Sequence, residues 1–200
     1  MAKPSSENFS RRAFLRGSGA AAAATALTQN VATAAGQATD TATNVVSGWT
    51  TITLNVNGED HQVKVEPRTT LLDVLRYQLD LTGAKPVSSD GSSGASTVMV
   101  DDKPAAASTL LALSLRGKAI RTVESLSDDA VPKAFVEHDA QQCGFCTPGF
   151  VVAVRAFLNK YPNATQQQIR DGLNGNICRC GTYADILEAA TAIVKGGGNG

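Results

Sequence analysis

Four cysteines are the only thiols in this 200-residue chain, and they come as two unlike pairs. Cys143-Gly-Phe-Cys146 is followed, after 31 intervening residues, by Cys178-Arg-Cys180. A lone C-x2-C is common to zinc knuckles, thiol oxidoreductases and iron–sulfur sites. The second pair narrows the field, because C-x-C is unusual for tetrahedral zinc and no βαβ pattern surrounds Cys143 as a thioredoxin-like site requires. A four-thiolate metal centre and a pair of disulfides remain in competition. No catalytic triad, active-site carboxylate pair or phosphate loop accompanies the thiols. His138 has no clustered acid or nucleophile beside it and reads as a helix or capping residue. Any substrate chemistry therefore belongs to a partner.

The thiols need elements to hold them. From Ala130 the pattern is helical, with Val131-Pro132 as a start and Ala134, Phe135 and His138 at helical spacing. Thr147 is placed to cap a second helix, with Pro148 in its first turn and Phe150, Val154, Phe157, Leu158 and Tyr161 as its buried stripe. Thr165-Gln-Gln-Gln168 is a capping box; Ile169 and Leu173 are buried behind it and Gly175 closes that helix. A last helix over about 184–194 buries Ile186, Ala190 and Ile193. Four helices in so short a stretch make a small bundle, with both cysteine pairs in connections just before helix N-termini. Backbone N–H groups and the helix dipole there stabilise thiolates and an anionic metal group.

The preceding segment has a different period. Residues 51–57 and 62–66 alternate polar and apolar on either side of Asn57-Gly58, which predicts a β-hairpin. Thr70-Leu-Leu-Asp73 opens a helix whose Leu71, Leu72, Leu75 and Leu79 face the sheet. Val98–Val100 and Ala119–Val123 read as further strands, with a polar turn at Asp101-Asp102-Lys103. The result is a mixed sheet with a helix on one face. Between helix and third strand lies a Gly/Ser-rich loop, and loops of such length are usually functional or disordered. Its Ser88, Ser93 and Ser96 are spaced S-x4-S-x2-S, and Ser108 follows after eleven intervening residues. With cysteine at each position this is the plant-type [2Fe–2S] ligand spacing.

The start of the chain is not domain-like. Ser10-Arg11-Arg12-Ala13-Phe14-Leu15-Arg16, a weakly apolar stretch to Leu27 and Ala32-Thr33-Ala34 describe a twin-arginine export signal over residues 1–34, with a flexible linker at 35–49. Export implies a periplasmic location, where disulfides are permitted. The twin-arginine route, associated with proteins exported folded and often with a cofactor in place, favours a metal cluster. Lys+Arg and Asp+Glu both number 18; removing Lys3, Arg11, Arg12, Arg16 and Glu7 with the leader leaves 14 against 17. That mild negative balance gives no reason to expect nucleic-acid binding. No apolar run reaches the roughly 20 residues of a membrane span.

Two groups of motifs resemble one family. Thr70-Leu-Leu-Asp-Val-Leu-Arg76, Leu81-Thr-Gly-Ala-Lys85, Gly91, Gly94-Ala95 and Thr97-Val-Met-Val100 are similar to the N-terminal ferredoxin-like domain of xanthine dehydrogenase-type small subunits. His138 through Gly149 and Gly175 through Tyr183 are similar to the second [2Fe–2S] segment of the same molybdenum hydroxylase family. With the leader, the likeness is strongest to iron–sulfur subunits of periplasmic aldehyde oxidoreductases, and it spans about 50–195.

The resemblance implies an α+β chain: a ferredoxin-like β-grasp domain at 50–126, then a four-helix domain at 127–200. One [2Fe–2S] cluster is implied on Cys143, Cys146, Cys178 and Cys180. The implied partners are a molybdopterin-binding large subunit, whose pterin Gln142 and Cys180 approach, and an FAD-binding medium subunit. Arg179 is a candidate for neutralising cluster or partner charge. The departure is in the first domain: all four ligand positions are serine, and Val87 replaces a glycine. Iron in such clusters takes soft, deprotonated thiolates, whereas a serine hydroxyl is hard and protonated at neutral pH. The cluster of the ferredoxin-like domain should be lost, its loop should lose a cross-link, and relay from molybdenum to flavin should be impaired. The competing expectation is a non-redox docking subunit stapled by disulfides or zinc.

Overall fold

A computed structural model describes residues 45–197, so the leader at 1–34 and most of the linker at 35–49 lie outside the described residues. Strands β1 (Thr50–Val56) and β2 (Glu59–Val65) pair antiparallel, with Leu54 opposite His61. Asn57 and Gly58 both have positive φ, 55° and 88°, the two-residue turn that suits the twist of a hairpin. Alternation does what it promised: Ile52, Leu54, Val56, Val63 and Val65 are buried on one face.

Helix α1 (Leu71–Tyr77) opens on the expected capping box, in which Thr70 Oγ1 accepts from Asp73 N–H at 3.1 Å and Asp73 accepts from Thr70 N–H. Its Leu71, Leu72, Val74 and Leu75 join the hairpin's apolar face in one core, with Leu79 half-buried at its edge.

Three more strands complete the sheet: β3 (Thr97–Val100), β4 (Lys103–Ala106) and β5 (Ala119–Arg121), in the order β2-β1-β5-β3-β4. The β1–β5 pair is parallel and the others antiparallel. Strand β4 was not expected, since Lys-Pro-Ala-Ala carries no β-branched or aromatic residue. It forms because it is an edge strand, where a proline without an N–H is tolerated. Val123 lies outside β5, in a 3₁₀ turn over Val123–Leu126.

The second half is helical: α2 (Ala130–Glu137), α3 (Thr147–Lys160), α4 (Gln166–Gly172) and α5 (Tyr183–Lys195). Helix α2 starts at Ala130, where the helical pattern begins, because Asp129 caps it by accepting from Val131 N–H at 2.8 Å. Helix α4 has the Thr165–Gln168 capping box but ends at Gly172, short of Gly175.

Helix α3 departs most from expectation. It has no simple buried stripe: Gly149 through Ala156 and Leu158 are all buried, whereas Tyr161 is 45 % exposed. The reason lies in β3. Successive strand side chains point to opposite faces, so Val98 enters the sheet–α1 core while Met99 enters the helical core. Helix α3 packs on that second face of the sheet, with the other helices beyond it. The expected α+β architecture is present, with the sheet serving two cores.

Candidate metal centre

Two tight turns present the four thiols. Cys143 to Cys146 lead into α3 through Gly144 at φ 76°, and Cys178 to Cys180 lead into α5 through Gly181 at φ 85°. These left-handed glycines bend the backbone so that its N–H groups meet sulfur. Phe145 N–H donates to Cys143 Sγ, Cys143 N–H donates to Cys180 Sγ, and the N–H groups of Gly181 and Thr182 donate to Cys178 Sγ. All four thiols are free.

The sulfurs meet as two facing pairs, Cys143 with Cys180 and Cys146 with Cys178. The first pair is exposed; in the second, Cys146 is half-buried and Cys178 buried. Their protonation reflects this difference. Burial, then the neighbouring Cys178, pushes the Cys146 thiol up to about 12. Burial also opposes ionisation of Cys178, but hydrogen bonds from the Thr182 hydroxyl and N–H, Cys146 and Gly181 outweigh it and bring that thiol down to about 7. The Phe145 N–H, then Cys180, lowers Cys143. In Cys180 the N–H of Cys143 favours the thiolate, but the Cys143 side chain, burial and neighbouring charge prevail and raise it.

The four residues thus form a soft donor set that favours thiolate at some sulfurs and proton sharing at others. Among the described residues no three His, Cys, Asp or Glu side chains close on a point tightly enough to chelate one ion. Two facing pairs suit a two-iron group, which takes two thiolates per iron, better than a single ion. Cys146, already α-helical at φ −84° and ψ −16°, is the N-cap of α3, which corrects the expected Thr147 cap. The Thr147 hydroxyl is consequently sealed inside the fold with no protein hydrogen-bond partner.

Other predicted residues fall around this centre. Gln142 is exposed in the turn before Cys143, and Arg179 is exposed between Cys178 and Cys180. His138 ends α2 as its C-cap, its N–H donating to Ala134 O at 3.0 Å, with Nδ1 3.7 Å from Glu188 Oε1. Sequence reasoning missed the polar support of Cys178. Thr182 Oγ1 lies 3.3 Å from its Sγ, and Cys178 N–H donates to the Tyr183 hydroxyl at 2.8 Å. The only sequence signal was two hydroxyl residues directly after the C-x-C turn.

The four serines come together as two pairs. Ser88 Oγ lies 2.9 Å from Ser93 Oγ, and Ser96 Oγ donates to Ser108 Oγ at 3.1 Å. Ser88 and Ser108 line one cavity of about 350 Å³ with Thr70, Leu72 and Asp73. In place of a cluster cross-link the loop is joined by hydroxyl–hydroxyl hydrogen bonds. Hydroxyls three ångströms apart can bond each other, and so satisfy their polarity without iron.

Residues 122–191 match the model of the [2Fe-2S] binding domain family. The nicotinate dehydrogenase small FeS subunit of Eubacterium barkeri is 38 % identical over 149 residues, covering 72 % of this chain and 95 % of its own. The aldehyde oxidoreductase iron-sulfur-binding subunit of Escherichia coli is 40 % identical, covering 69 % of each chain. Among solved structures, quinoline 2-oxidoreductase from Pseudomonas putida superposes with a TM-score of 0.72 at 35 % identity, over 76 % of this chain and 97 % of that one. The aldehyde oxidoreductase of Desulfovibrio desulfuricans gives 0.69 at 36 % identity, over 74 % of this chain and 17 % of that one. With its paired thiols at the starts of α3 and α5, the chain belongs to the small iron–sulfur subunits of molybdenum-hydroxylase-type oxidoreductases.

Proposed function

We propose that the chain is a one-cluster electron-transfer subunit, with Cys143, Cys146, Cys178 and Cys180 as the ligands of a single [2Fe–2S] group. The observation that carries this is the convergence of two free thiol pairs from separate loops while four serines occupy the other cysteine-like spacing. When bound, the cluster supplies one-electron chemistry. The chain's own residues hold it: backbone N–H groups of the two turns offset thiolate charge, and Cys178 is shielded from water.

Exposed Cys143, Cys180 and Gln142 lie on the side open to a partner, which fits a pterin-bearing molybdenum subunit as electron donor. An FAD-bearing subunit is the family's onward acceptor. Because four serine hydroxyls cannot replace thiolates on iron, delivery to flavin is impaired. The ferredoxin-like part at 50–126 then acts as a folded spacer before the cluster part at 127–200. The twin-arginine leader assigns the mature chain to the periplasm.

Purified full-length protein should contain about two iron and two sulfide per chain, with one EPR species after reduction. Four irons or two EPR species would overturn the one-cluster reading; zinc or a colourless, metal-free chain would favour a docking subunit instead. Replacing Arg11 and Arg12 by lysine should leave the chain in the cytoplasmic fraction. Undiminished recovery from the periplasm would refute the export assignment.

A further inference from the structure

The serine loop sits against both segments that bear the thiols. Gly94 is at φ 67°, and a Cβ there would fall 2.5 Å from Gly175 O and 2.6 Å from Asn176 Nδ2. On its other side, a Cβ on Gly149 would fall 2.4 Å from Gly94 O. Gly149 is three residues beyond Cys146, and Asn176 is two before Cys178. Only glycine lets these backbones approach so closely.

Hydrogen bonds fasten the same junction. Ile177 N–H donates to Ser93 O at 3.0 Å, and the buried Asn176 amide donates to Gly94 O at 2.9 Å. Ser93 is held in turn by Ser88, whose hydroxyl accepts from Ser93 N–H at 3.1 Å and lies 2.9 Å from Ser93 Oγ. Ser93 Oγ also accepts from Ala95 N–H at 3.3 Å, locking the turn that carries both carbonyls. The Ser96–Ser108 pair lies at the loop's other end and makes none of these contacts.

We propose that the serine loop is a brace for the remaining cluster: the Ser88–Ser93 hydroxyl pair and Asn176 are positioning residues that hold the Cys178 turn in register with Cys146. This rests on the one-cluster reading and gives the ligand-free loop a role toward that centre. Each thiolate must stay within bonding reach of its iron, so a loosened Cys178 turn changes cluster symmetry and eases iron loss. The loop's two pairs of serines are accordingly unequal.

The test uses the full-length chain with its cluster. The double variant Ser88→Ala/Ser93→Ala, and separately Asn176→Ala, should release iron to a chelator about threefold to tenfold faster, the range that loss of an ordinary hydrogen bond gives an opening equilibrium. Both should also shift the g-anisotropy of the reduced cluster. Ser96→Ala/Ser108→Ala should match wild type in both readouts, and Ser88→Thr/Ser93→Thr, which keeps the hydroxyls, should stay nearer wild type than the alanine pair. The brace is refuted if the Ser88/Ser93 alanine pair keeps wild-type iron release and EPR, or if the Ser96/Ser108 pair disturbs them equally. Should Asn176→Ala fail to fold, the partly buried Ser88/Ser93 pair still decides. A wild-type chain without iron would refute the one-cluster reading instead.

Discussion

At the level of single residues, the two buried-side thiols differ most in what donates to them. Cys146 is dominated by burial, whereas Cys178 is surrounded by donors, including the Thr182 hydroxyl at 3.3 Å. A donor to cluster sulfur favours the reduced, more negative state and so raises the potential. Thr182→Val should lower the midpoint potential by about 40 mV if the hydrogen bond differs by about 1 kcal/mol between redox states. Thr182→Ser should restore it. EPR-monitored potentiometry checks both, and an unchanged valine variant would remove Thr182 from the account. The four cysteines were legible in the sequence because their spacing sets them apart as paired thiols, with the resemblance choosing between a metal centre and disulfides. Thr182 was not, because its use depends on a turn that folds its hydroxyl back four residues onto Cys178.

Among the elements, α3 carries the greatest burden. It is buried nearly all round and includes the guanidinium of Arg155, only 3 % exposed. Asp129 answers that charge: its Oδ1 accepts from Arg155 Nε at 3.0 Å and also from NH2, while the same oxygen caps α2. One carboxylate thus joins the start of α2 to the middle of α3. Removing it leaves a buried unpaired cation and an uncapped helix, so Asp129→Ala should cost about 3–5 kcal/mol. Denaturant unfolding of the full chain measures this, with Asp129→Asn retaining part of the cap. Helix existence could be read from apolar spacing, but this pair could not. Its members are 26 residues apart, and an arginine in a helical pattern ordinarily reads as solvent-facing.

Over the whole molecule, the two cores meet through β3 and through the Gly94 junction. Gly94→Ala should be destabilising beyond the usual cost of a left-handed alanine, of order 1–3 kcal/mol, because its methyl strikes backbone as well as Asn176. A lowered thermal midpoint together with faster cluster bleaching is the expected outcome. A variant with wild-type melting would show that the junction yields easily. No such approach could be inferred from a Gly/Ser-rich stretch, where glycine also serves as ordinary loop residue.

Local rules by themselves determined much of this protein. Alternation gave the hairpin and helical spacing and capping boxes gave the helices, since each depends on residues near one another in sequence, while cysteine spacing narrowed the chemistry to a thiolate metal centre or disulfides. The resemblance then narrowed the chemistry to one cluster type. Tertiary structure decided what depends on distant segments: the edge strand with Pro104, the burial of α3 on every side, and the pairing of thiols across the two turns. It also decided that four serines spaced like ligands close on one another as hydroxyl pairs, because short hydrogen bonds form only where the folded backbone brings their oxygens together.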